Sequence, residues 1–122
     1  MDDKELYEKI KEELKAELKA EIIKAKNEEI IISLVHKQKL LQKEMDNLYT
    51  EHIEKIDKKK DLNAYNYYQT QNISLQEYSL IRNRLDAEQS VYLNKNYKLC
   101  EEYKECSNEI KKLTVASPIV NS

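Results

Sequence analysis

The sequence predicts an all-α protein: two long helices forming an antiparallel coiled-coil hairpin, with a projecting N-terminal helical extension, packed in a larger helical assembly. Three observations lead there. The 122 residues contain no glycine and a single proline, Pro118. Charged residues make up 36% of the chain, with 21 Lys and Arg nearly cancelling 23 Asp and Glu. Apolar residues recur at helical spacings of three and four over most of the length. Tight hairpin turns, phosphate-cradling loops and dinucleotide fingerprints need backbone that glycine normally supplies, so sheet-rich folds and familiar nucleotide-binding enzymes are disfavoured. Leu, Ile and Val together form about a quarter of the chain, above the level at which disorder becomes the default.

The first helix is expected over residues 1–56. Asp2 and Asp3 place negative charge where a helix N-terminus favours it. Lys11 to Glu21 then repeats Leu-Lys-Ala-Glu with a four-residue step, which reads as a solvated single helix with a thin apolar stripe. Beyond it a heptad emerges: Ile31, Leu34, Gln38, Leu41, Met45, Leu48 and His52 step by three and four, the seam of a left-handed coiled coil. Gln38 and His52 are polar members able to set register, and His52 is expected at the edge of the seam near a frayed helix end.

The segment Ile30-Ile31-Ile32-Ser33-Leu34-Val35 spreads apolar side chains over about 200° of the helix, against the ~100° that one packed stripe needs. Such a face calls for cover from two sides, so further helices are expected against it.

A connector is expected over 57–73, where asparagines accumulate, the periodicity disappears and Tyr65, Tyr67 and Tyr68 cluster. Its length suggests that part of it is helical. It ends in Ser74-Leu75-Gln76-Glu77, a capping box, with Ile73 and Tyr78 in the hydrophobic-staple positions. The second coiled-coil helix is assigned to 74–114. One of its seam rows is Tyr78, Leu85, Tyr92, Leu99, Cys106 and Leu113; the other is Arg82, Gln89, Asn96, Tyr103 and Ile110. Gln89 and Asn96 resemble the buried amides that fix pairing in coiled coils. Pro118 and its neighbours place a flexible tail at 115–122, where Ser117-Pro118 would suit a proline-directed kinase. Folding back from Ile56, the hairpin should bring Leu75 near Ile56 and Leu113 near Ala16 to Leu18.

Catalysis finds little support. The two histidines, His36 and His52, lie on one helix with no nucleophile marked as their partner. Cys100 and Cys106 have neither disulfide nor zinc-site spacing, and no Glu-x-x-His motif occurs. No cofactor or metal is expected, and the chain reads as a non-enzyme. Lysines interleave with acids, which argues against nucleic acid, and the longest apolar run, Ile30-Ile31-Ile32, is far too short to span a membrane. Reduced cysteines and the lack of a signal-like stretch point to a cytoplasmic or a nuclear setting.

The expected function is that of a coiled-coil subunit or adaptor whose partners are other coiled-coil chains, more a hetero-oligomer than a homo-oligomer. Its expected interface comprises Ile30, Ile31, Leu34, Val35, Leu41, Met45 and Leu48, the connector residues Tyr65, Tyr67 and Tyr68, and Tyr92, Leu99 and Tyr103. In architecture the chain resembles the small coiled-coil subunits of lysosome-related organelle biogenesis, kinetochore and Mediator assemblies, which implies a structural role, with endosomal or vesicle trafficking or tethering the leading setting and a place in the cytoplasm peripheral to endosomes. The rival is a helical chaperone similar in outline to prefoldin or the tubulin-folding cofactors. Prefoldins join their helices through a β-hairpin, which a glycine-free connector does not favour.

Overall fold

The computed structural model describes residues 2–116, and every regular element in them is helical. The chain is an all-α helical hairpin. Helix α1 runs Asp3–Leu48, a π-helical turn occupies Tyr49–Ile53, α2 covers Glu54–Tyr68, and α3 covers Leu75–Ala116. The junctions at Leu48, Ile53 and Glu54 all keep right-handed helical dihedrals, so α1, the π turn and α2 form one unbroken arm. Ile30 to Val35, a segment rich in β-branched residues, lies within α1.

Local chemistry explains both helix starts. At α1 the Glu5 amide donates to Asp2 Oδ1 at 2.8 Å, and the Leu6 amide to the Asp2 carbonyl. At α3 the Glu77 amide donates to Ser74 Oγ at 3.1 Å, while that hydroxyl donates to Glu77 Oε1 at 3.3 Å. Ile73 and Tyr78 are both half-buried, as a staple requires.

The π turn is the main departure from the expected pattern. Along the arm the half-buried or buried positions run Ile31, Leu34, Gln38, Leu41, Met45 and Leu48, as the heptad predicts. The next seam member is not His52, which is exposed, but Ile53, followed by Ile56, Lys60, Asn63 and Tyr67, with Glu54, Ala64 and Asn66 half-buried beside them. The step from Leu48 to Ile53 is five residues, and threes and fours resume after it. One surplus residue, absorbed by i→i+5 hydrogen bonding, moves the seam on by one position. Periodicity therefore shifts rather than disappears, and the helix continues to Tyr68. The connector placed at 57–73 contracts to residues 69–74. His52 is in mid-arm, not near a frayed end.

Without glycine, the turn gives its left-handed position to Gln71, at φ 55°. The Gln69 and Thr70 amides both donate to the Tyr65 carbonyl, and the Asn72 amide to the Asn66 carbonyl, satisfying groups left open at the end of α2.

The described chain divides into two compact units. In the unit Lys39–Lys104 the turn reverses the chain and α3 packs antiparallel to the arm. The Cys100 thiol meets Met45 Sδ at 3.4 Å, the Tyr92 ring stacks on His52, and Asn63 Nδ2 donates to the Tyr78 carbonyl at 3.1 Å. Leu41, Ile53, Ile56 and Leu85 are its buried apolar residues. Leu75 therefore does not face Ile56; the arm extends past Ile56 to Tyr68 before the chain turns.

The other unit joins the N-terminal part of α1 to the end of α3. Here Gln38 Nε2 donates to Ser107 Oγ at 2.7 Å and Cys106 is buried. Seven residues from this bond in each direction, antiparallel pairing sets Thr114 level with Ile31, and Leu113 with about Ile32 rather than Ala16 to Leu18. Every residue from Asp2 to Lys19 is exposed. Val115 and Ala116, expected in the tail, are helical; the rest of that tail, with Ser117-Pro118, lies outside the described residues.

Candidate partner-docking surfaces

The seam of the Lys39–Lys104 unit has a polar centre built on Gln89, which is 7% exposed. Its Nε2 donates to Asp57 Oδ1 at 2.6 Å and more weakly to the Ile53 carbonyl at 3.4 Å. Its Oε1 accepts from Lys60 Nζ at 2.6 Å, and that ammonium also lies 2.6 Å from Asp86 Oδ1. A lysine at a seam position is costly in an apolar interface unless its donors are engaged, and here a carbonyl oxygen and a carboxylate engage them. The hydrogen bond from Lys60 is the largest influence holding the Asp86 carboxyl below its ordinary range, helped by the charges of Lys60 and Arg82 against partial desolvation. Asn63, 5% exposed, satisfies its amide nitrogen but leaves Oδ1 buried with no hydrogen-bond partner.

Beside the π turn an open groove of about 490 Å³ lies between the two helical arms of the unit. Leu48 and Leu99 supply its apolar lining, Glu44 and Glu51 line the arm side, and Lys95 and Lys98 line the α3 side. His52 closes one end, its ring parallel to that of Tyr92 with centroids 4.1 Å apart, and Lys95 Nζ sits 5.5 Å from the centre of the Tyr92 ring. By adding a residue, the π turn brings Ile53 into the seam and leaves His52 at its rim.

At the hairpin turn the tyrosines gather. Tyr67 stacks on Tyr78 at 4.8 Å, and Tyr68 meets both edge-on. Arg82 donates to the Tyr78 hydroxyl at 3.1 Å. The Tyr68 phenol is pushed above its ordinary range chiefly by hydrogen bonding with Tyr78. A second hollow of about 350 Å³ opens against Tyr67, Tyr68, Ile73 and Leu75.

The expected interface residues separate into two groups. Leu41 is buried and Ile31, Leu34, Met45, Leu48, Tyr67, Tyr92, Leu99 and Tyr103 are half-buried, all of them in the seam rows. Ile30 at 46% and Val35 at 37% exposed, with Tyr65 and Tyr68, remain outward. Of the α3 rows, Arg82 is the one exposed member; it is drawn aside to Tyr78 and Asp86. Sequence reasoning missed Asp57, Lys60, Asn63 and Asp86, and the groove beside the π turn. Counting seam positions onward from Ile53 instead of His52 would have reached Lys60 and Asn63.

No group of His, Cys, Asp and Glu among the described residues is arranged to hold a metal ion, and no described helix is long and apolar enough to cross a membrane. Compared with protein-family models, with curated proteins and with solved structures, the chain matches none.

Proposed function

We propose that the chain is a non-enzymatic coiled-coil subunit or adaptor that assembles with other helical chains, with vesicle trafficking or tethering as its setting. One observation carries the reading: after the hairpin has formed, large apolar side chains remain exposed along both arms, including Ile30, Ile32, Leu40, Leu80, Ile81, Val91 and Leu93. A seam uses one stripe of each helix, and these residues lie off it. The groove at Leu48 and Leu99, acidic on one edge and basic on the other, adds a place for a third helix of opposite edge charges.

Affinity purification with cross-linking tests this. A subunit recovers a fixed set of helical chains in constant ratio; a scatter of substoichiometric clients would instead favour a chaperone. The informative variant is Ile30→Asp with Ile32→Asp, because both residues are outward and the seam is untouched. Partner recovery should fall at least tenfold while the helical circular dichroism signal is retained. Unchanged recovery would exclude this face from the interface.

A further inference from the structure

The first turns of α1 carry an apolar pattern that the hairpin does not use. Leu6, Ile10, Leu14, Leu18 and Ile22 follow one another at strict four-residue steps and are 47%, 47%, 59%, 58% and 47% exposed. The register set by Gln38 and Ser107 leaves this stretch well beyond the level of α3's last described residues. A helix standing alone in water is held by local propensity only, so an apolar ridge along it is a surface in want of a partner.

Step size determines what kind of contact fits. Four residues turn the helix by about 400°, so the ridge drifts about 40° per step and about 160° between Leu6 and Ile22. A neighbour lying along the helix, as in a coiled coil, could follow it for only a turn or two. Ridges of this i, i+4 type pack into one another where two helices cross at about −50°.

Charge determines the occupant. Viewed down the axis from Leu14, Lys11 and Lys15 lie about 60° and 100° to one side, and Glu17 and Glu13 about 60° and 100° to the other. The ridge thus has one basic and one acidic bank. Two copies related by a two-fold axis, with helices pointing the same way, place the basic bank of each against the acidic bank of the other, twice over. Turning one helix end for end would set lysine against lysine and glutamate against glutamate. Lys15 has a described ion pair within its own helix, to Glu12 at 3.9 Å, but a pair so exposed holds it only weakly.

We propose that residues 6–22 are a self-association element, in which the Leu6–Ile22 ridge crosses that of a second copy of this chain in parallel orientation, centred on Leu14. The contact is small, so the dimer is a weak and reversible one. It uses α1 alone and stands whether or not other chains cover the hairpin, and its test needs only the purified full chain.

Sedimentation equilibrium on the wild type should show a reversible monomer–dimer equilibrium that weakens several-fold as salt is raised. Leu14→Asp should be monomeric, with the helical circular dichroism signal retained and a thermal midpoint that no longer depends on concentration. Lys11→Glu/Lys15→Glu has two acidic banks and Glu13→Lys/Glu17→Lys has two basic ones; each alone should remain monomeric, and an equimolar mixture should recover a heterodimer. A wild-type chain that stays monomeric at tens of micromolar overturns the proposal and leaves the ridge to a different chain. So does association that survives Leu14→Asp, or that strengthens with salt, the mark of like banks facing each other.

Discussion

Gln71 holds a left-handed backbone conformation that a side chain with a Cβ disfavours by about 1 kcal/mol or more. Replacing it with glycine, Gln71→Gly, should therefore raise hairpin stability by about 0.5 to 1 kcal/mol in chemical denaturation, the relief of strain being partly offset by a more flexible unfolded chain. A neutral or lower value would mean that the glutamine side chain makes up for the strain. Gln89 is the opposite case, a polar side chain whose bonds are nearly all used. Gln89→Leu removes the Gln89 partner of Asp57 and one of the two partners of Lys60, which keeps Asp86, so unfolding should become easier by about 1 kcal/mol despite the added apolar surface. Asp86 supplies a pH prediction. Its carboxyl is held below the ordinary range in the folded chain, so the folded state binds its proton less readily than the unfolded state. The stabilisation is present at neutral pH and lost as pH falls through the depressed value. In a carboxyl-detected NMR titration, Asp86 should titrate below the ordinary aspartate range, and Lys60→Met should move it back up.

At the level of elements, the capping box, the two α3 rows and the α1 heptad as far as Leu48 could all be read from residue spacing, because each depends on neighbours within one or two turns. The continuation of the arm through 57–68 could not. Its seam members Lys60 and Asn63 are polar, and they sit in the interface only because Gln89, Asp86 and the Tyr78 carbonyl meet them from α3. A hydrophobicity pattern cannot show a position whose burial depends on a hydrogen bond from a residue far along the chain. The π turn was hidden for a related reason: His52 and Ile53 each continue a plausible spacing, and only pairing with α3 selects the second. Deleting Glu51, an exposed residue of the turn, should restore an uninterrupted three-four seam with Ile53 still in place. The shortened chain should melt as a single transition at an equal or higher temperature. A lower one would show that the π turn itself supports the groove-side packing.

For the molecule as a whole, the buried apolar set is short. Leu41, Ile53, Ile56, Leu85 and Cys106 are its described members, against a much longer series of exposed leucines, isoleucines and tyrosines. The all-α hairpin was legible because charge balance and the lack of glycine are properties of the entire sequence. Which surfaces remain for partners was not, since that depends on how much of each helix the hairpin itself covers. The arm's extension to Tyr68 shifts all pairing towards the turn and lengthens the uncovered part of α1. Stability should accordingly rise with protein concentration if outward faces are buried between chains. Thermal melts over a hundredfold dilution series should show a falling midpoint for the wild type. A constant midpoint would identify a chain that is self-sufficient alone.

The π turn also gives the arm a freedom that an unbroken α-helix lacks. A surplus residue in a helix is a mobile defect: exchanging successive i→i+5 for i→i+4 bonds passes it along the chain one residue at a time, rotating each segment it crosses by about 100°. Moved towards Tyr68, it would return His52, Lys55 and Lys59 to the seam and expel Ile53, Ile56 and Lys60. Its station at Tyr49–Ile53 is held by the burial of two isoleucines, at 6% and 3% exposure, against that of an imidazole and a second ammonium group, since one seam lysine is merely exchanged for another. The rotational phase of the distal arm is thus a property of where one defect is pinned.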